Sequence, residues 1–69
     1  MQRVPVDSTN VKEIGYDAPT TTLEILFSSG NIYQYFDVPE AVYVEFLNAP
    51  SKGAFHNSQI KGSYRYARV

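Results

Sequence analysis

A small α+β domain, with a three- or four-stranded, mostly antiparallel sheet and one or two short helices packed on one face, is what this sequence predicts. Three stretches carry the prediction. Leu23 to Val38 sets two β-rich runs about Ser28-Ser29-Gly30-Asn31. Val38-Pro39-Glu40 opens a run with apolar residues at helical spacing. Ser63 to Val69 alternates as a closing strand does.

In chain order, residues 1–8 are expected to be a partly ordered lead-in, since Pro5 and the short polar run offer little to bury. Thr9 to Tyr16 reads as a first strand with Ile14 and Tyr16 on one face. Val11 is out of step with them, so a bulge or a late start is expected. Asp17-Ala18-Pro19 then makes a turn. The hairpin follows, with Ser29-Gly30 or Gly30-Asn31 as a two-residue loop, because glycine takes positive φ freely and asparagine tolerates it. Either loop places Leu23, Ile25 and Phe27 on one face with Ile32, Gln34, Phe36 and Val38, an apolar set suited to the core. Tyr33 and Tyr35 fall on the other face with Glu24, Leu26 and Ser28. A three-residue loop would swap this relation on one strand.

Pro39 suits a first helical position, with Asp37 or Val38 as the cap and Glu40 favouring the helix dipole. Val42, Tyr43, Phe46 and Leu47 form one apolar stripe, and Pro50 stops the helix near Ala49. A helix of this length does not persist alone, so the stripe must dock on the sheet. Residues 51–60 read either as a second short helix capped by Ser51, with Phe55 and Ile60 inward, or as an irregular loop around Gly53 and Asn57-Ser58.

At 69 residues the chain is one domain near the lower limit for folding without staples, and it has no cysteine to supply them. No apolar run approaches a membrane span and no signal-peptide core is present, so the expectation is a cytoplasmic protein with no membrane partner. The net charge of −1 hides an asymmetry. Residues 1–49 hold seven acids against two cations, a balance of −5, whereas residues 50–69 hold Lys52, Lys61, Arg65 and Arg68 and no acid, a balance of +4.

Catalytic chemistry finds little purchase. His56 is the one histidine, with no nucleophile and orienting partner set beside it, and the carboxylates are scattered. No enzyme activity, cofactor or metal is expected.

The ordered set Gly15-Tyr16-Asp17, Phe27, Gly30, Tyr33, Tyr35 and Val38-Pro39 resembles the KTSC domain family. The match continues through Tyr43, Leu47, Ala49, Ser51-Lys52-Gly53, Phe55, Asn57, Ile60-Lys61 and Tyr64. That family is named for a domain at the C-terminus of some lysyl-tRNA synthetases and also occurs as small bacterial proteins. Its Tyr-x-Tyr signature is here Tyr33-Gln34-Tyr35. The chain departs from the pattern at the hairpin turn, where the family usually has Asn-Gly, and at His56, where a second aromatic commonly stands. The resemblance implies no established activity, and RNA binding is suggested by the synthetase association.

The residues permit the same reading. Tyr33 and Tyr35 could stack on bases, and Lys52, Lys61, Arg65 and Arg68 could pair with phosphates. If all four cations did so, single-strand binding would carry a salt slope of about −3. A protein-interaction module using the same face or an open sheet edge is the alternative. Against both stands the reading in which the two tyrosines are core residues with only their hydroxyls near water.

Overall fold

The computed structural model describes residues 1–69. Five antiparallel strands follow one another across a single sheet in chain order: β1 (Arg3–Pro5), β2 (Val11–Asp17), β3 (Thr22–Phe27), β4 (Ile32–Tyr35) and β5 (Tyr66–Arg68). Helix α1 (Glu40–Asn48) and the shorter α2 (Lys52–Phe55) lie between β4 and β5 in sequence. Sheet and helices share a core of Val11, Ile14, Leu23, Ile25, Tyr35, Val38, Phe46 and Ile60. The α+β class is as the sequence predicts. The strand count exceeds the prediction because residues 1–8 contribute β1, which pairs Arg3 with Gly15 and Pro5 with Glu13.

Gly15 makes that edge possible. A Cβ there would come within 2.6 Å of the Gln2 carbonyl and 2.9 Å of Arg3 Cγ, so only glycine lets β1 lie flat. Next along β2, the register slips between Val11 and Glu13. This is the expected bulge, and it returns Val11 to the core beside Ile14 although the two are out of strand alternation.

The β3–β4 hairpin corrects the expected loop. Phe27 donates its N–H to Asn31 O, and Gly30 N–H closes a turn onto Phe27 O, leaving Ser28, Ser29 and Gly30 as a three-residue loop. Gly30 sits at φ +94°, the left-handed position that ends this loop type. One added loop residue reverses the second strand. Leu23 pairs with Tyr35 and Ile25 with Tyr33, so both tyrosines share the helix-covered face with Leu23 and Ile25. Gln34 pairs instead with Glu24 on the outer face. Val38 still reaches the core, because Asp37 at φ +59° turns the chain back and Val38 N–H bonds Thr21 O.

Helix α1 begins one residue later than expected, with Pro39 at the cap and no side chain capping it. Its stripe behaves as the spacing predicts: Phe46 is fully buried, and Val42, Tyr43 and Leu47 pack around the core. Tyr16 stacks on Tyr43 at 5.0 Å, fixing α1 to β2. Ser51 Oγ accepts from Ala54 N–H and starts α2. Residues 51–60 are therefore helical rather than looped, and Phe55 stacks on Phe46 at 5.3 Å. Helix α2 runs directly into a wider π-helical turn, His56–Ile60, closed by Lys61 N–H on His56 O. That turn seats Ile60 in the core.

Candidate functional site

Beyond the end of the helical layer, the sheet's inner face carries a cluster of rings. Register places them. Tyr33 lies opposite Arg68, and Tyr35 opposite Tyr66, so these four side chains project to the same side. The three-residue hairpin loop brings Phe27 edge-on to Tyr33 at 5.6 Å. The π-helical turn presents His56 edge-on to Phe27 at 5.0 Å and to Tyr35 at 5.6 Å. Such widened turns occur frequently at functional sites. Tyr66 tilts over Tyr33 and Tyr35 at 5.7 and 5.6 Å and remains 61% exposed, whereas Tyr35 is only 4% exposed. Phe27, Tyr33, Tyr35, His56, Lys61 and Tyr66 enclose a half-open cavity of about 240 Å³.

The floor of the cavity is polar but uncharged. The Tyr35 hydroxyl and His56 Nε2 lie 2.8 Å apart and share one hydrogen bond. Burial pushes the Tyr35 phenol up to about 12, with Tyr33 and Tyr66 adding to the shift. Burial, and then the charge of Lys61, holds His56 below its ordinary 6.5. At neutral pH both groups are neutral, and Lys61 is the one formal charge lining the cavity. No carboxylate lies in the lining, and neither Lys61 nor Arg68 takes part in the three ion pairs of the chain.

The six residues singled out from the sequence separate into two groups. Tyr33, Tyr35 and Lys61 line the cavity, and Arg68 projects beside Tyr33. Tyr35 is a core residue whose hydroxyl meets His56, so it forms the floor and not an open platform. Arg65 alternates to the other face, where it donates to Asp37 Oδ2 at 3.0 Å and covers the Phe36 ring. Lys52 lies elsewhere, its Nζ donating to Ala49 O at 2.6 Å. It borders a larger concavity of about 400 Å³ between residues 7–10 and 50–53, where Pro50 is the one apolar side chain in the lining. Burial of apolar surface orients most ligand sites, so the smaller aromatic cavity is the stronger candidate.

Tyr66, Phe27 and His56 complete the site and escape a reading of the sequence alone. Tyr66 carried a signal, because Tyr64-Arg65-Tyr66 echoes Tyr33-Gln34-Tyr35. The echo has structural meaning in one half: Tyr66 faces Tyr35 across the strand pair, while Tyr64 packs against the core.

The sequence profile of the KTSC domain matches residues 7–64. The lysine–tRNA ligase of Trichormus variabilis is 44% identical over 59 residues, which are 86% of this chain and 10% of the ligase. A protein of Stutzerimonas stutzeri is 40% identical over 70 residues, covering all of this chain and 99% of that one. The crystal structure of a KTSC domain protein from Yersinia pestis matches with a TM-score of 0.96 at 41% identity, over 99% of this chain and 96% of that chain. This chain spans about a tenth of the length of the lysine–tRNA ligases it resembles. With the profile, the relatives and the five-stranded fold in agreement, the chain belongs to the KTSC domain family.

Proposed function

We propose that this KTSC domain is a non-enzymatic module that binds single-stranded RNA through the aromatic cavity. The observation carrying the reading is the exposed Tyr66 ring, set beside Tyr33 and flanked by two unpaired cations, Lys61 and Arg68. Aromatic faces accept any base, at about 1–3 kcal/mol per stacked base, and nearby cations neutralise the phosphates between bases. The relatives named as lysine–tRNA ligases act on an RNA, which favours RNA over DNA as the partner. Nothing in the cavity suits bond-making chemistry. The Tyr35 hydroxyl is held protonated, and its only side-chain partner is a neutral imidazole.

The test is a titration of isotope-labelled protein with short single-stranded RNA at low and high salt, followed by NMR. Shifts should concentrate on Tyr33, Lys61, Tyr66 and Arg68. With Lys52 and Arg65 engaged elsewhere, the salt slope should be about −1.4, the value for two phosphate contacts, instead of −3. A flat titration at low salt rejects the reading.

A second reading has one observation of its own. Phe36 N–H bonds Arg65 O and Val69 N–H bonds Ile32 O, which turns the peptide groups of Tyr66 and Arg68 toward the open edge of β5. An extended peptide could add there as a further strand. Such binding would change little with salt, which separates it from the first reading.

A further inference from the structure

Resting on the nucleic-acid reading, we propose that the cavity receives a single nucleoside monophosphate unit, its base among the rings and its phosphate on Lys61, instead of a run of stacked bases. Size is the first argument. At about 240 Å³ the cavity lies below the roughly 300–1,000 Å³ typical of sites for drug-sized ligands, leaving room for one ring system. Ring spacing is the second. A base slotted between two rings needs two stacking gaps of about 3.4 Å each. Tyr66 stands only 5.7 Å from Tyr33 and 5.6 Å from Tyr35, so these rings do not form a ladder that threads successive bases. The base enters on the side of Lys61 and His56, under Tyr66.

Charge is the third argument. One cation and no carboxylate line the cavity, and the neighbouring Tyr35–His56 pair is uncharged. A neutral planar ring bearing one anionic group matches that arrangement, whereas a cationic ligand would meet Lys61 without a counter-charge. The Tyr35–His56 floor offers a hydroxyl and an imidazole to the polar edge of a base. Arg68 projects beside Tyr33, outside the cavity lining, and suits the next phosphate of a chain. The same chemistry describes a free nucleotide and a strand end.

The experiment titrates the intact labelled protein separately with adenosine, adenosine 5′-monophosphate, and a short single-stranded RNA ending in a 5′-phosphate. The monophosphate should shift Tyr33, His56, Lys61 and Tyr66. It should bind about tenfold more tightly than adenosine, as one charge-assisted contact allows. In Lys61→Gln that advantage should vanish, and in Tyr66→Ala, an exposed edge position, affinity should fall at least tenfold with the fold intact. RNA binding as tightly as or more tightly than the monophosphate, with the same residues shifted, supports the proposal and identifies a nucleotide of an RNA strand as the occupant. Monophosphate binding without RNA binding supports the one-nucleotide cavity but overturns the RNA reading. RNA binding without any response to the monophosphate overturns the cavity proposal alone and leaves the RNA reading standing. No response to any ligand overturns both, and equal binding of adenosine and its monophosphate removes the role of Lys61.

Discussion

The β3–β4 pair carries two faces of opposite design. On the outer face, Glu24 is 8% exposed and both of its carboxylate oxygens are engaged. Arg3 Nη1 donates to Glu24 Oε2 at 2.6 Å, Gln34 Nε2 to Glu24 Oε1 at 2.8 Å, and Arg3 Nε to Glu13 Oε1 at 3.0 Å. On the inner face near β5, rings meet at tilted angles, Tyr66 stays in water, and Lys61 and Arg68 have no acidic partner. The first arrangement uses up its interactions in tying β1, β2, β3 and β4 together. The second leaves its interactions unspent, as a binding surface must. Abundant charge and aromatic rings do not distinguish the two; what distinguishes them is whether the partners are already present.

The sharpest test sets two rings of one cluster against each other. Tyr35→Ala removes a core ring and its bond to His56 and should cost about 3–5 kcal/mol, read as a lowered denaturation midpoint. On the outer face, Gly15→Ala should cost about 1–3 kcal/mol by pushing β1 from the sheet and loosening Arg3 from Glu24. Hydrogen exchange should then show β1 opening before the rest of the sheet. Stability intact in Gly15→Ala would mean that β1 contributes nothing to the polar face.

Titration divides the faces further. Burial raises the Glu24 carboxyl, but the bonds from Gln34 and Arg3, with the Arg3 charge, outweigh it and hold the group below its ordinary 4.5. The stability it confers is complete above pH 4.5 and disappears as pH falls through the lower folded value. His56 is also held down, so its contribution is complete above pH 6.5 and declines as pH falls below that. Tyr35 is raised, so its contribution is complete below pH 10 and is lost as pH rises from 10 toward 12. A stability profile by denaturant melts should thus weaken in two acid steps and in an alkaline fall that Tyr35 shares with Tyr16, which burial and then the charges of Glu40 and Asp17 also raise. His56→Gln should remove only the step that begins near pH 6.5. The smallest effect on the fold is expected from Tyr66→Ala, within about 0.5 kcal/mol, although the same change should abolish most binding. Comparable destabilisation by Tyr35→Ala and Tyr66→Ala would erase the distinction between floor and platform.

Local rules made much of this legible. The α1 stripe, its end before Pro50, the Ser51 cap and the Val11 bulge each follow from spacing within one element, and each stands in the structure. Features set by distant partners were not legible. Strand β1 exists because Arg3 reaches Glu24 across the sheet over Gly15, a relation no window of sequence contains. The facing of Tyr33 and Tyr35 turned on the hairpin loop, where Ser28-Ser29-Gly30-Asn31 permits more than one closure. For the site, Lys61 was recoverable as a cation near the aromatic strand. Arg65 and Lys52 were not excluded, because their engagement by Asp37 and the Ala49 carbonyl depends on tertiary placement.

The hairpin loop has a consequence for how such a domain can change over time. Because neighbouring strand residues point in opposite directions, the loop acts as a parity bit: odd and even lengths assign the following strand to opposite sides of the sheet. Removing Ser29 would leave every residue of the aromatic strand in place and yet send Tyr33 and Tyr35 outward, with Ile32 and Gln34 turned in. The cavity would be lost with no alteration to any residue that forms it. Apart from Gly30, whose φ of +94° disfavours other residues, substitutions in this turn leave the facing of the strand intact, whereas insertions and deletions do not. Loop length, more than loop identity, should separate chains that keep the cavity from chains that keep only the fold.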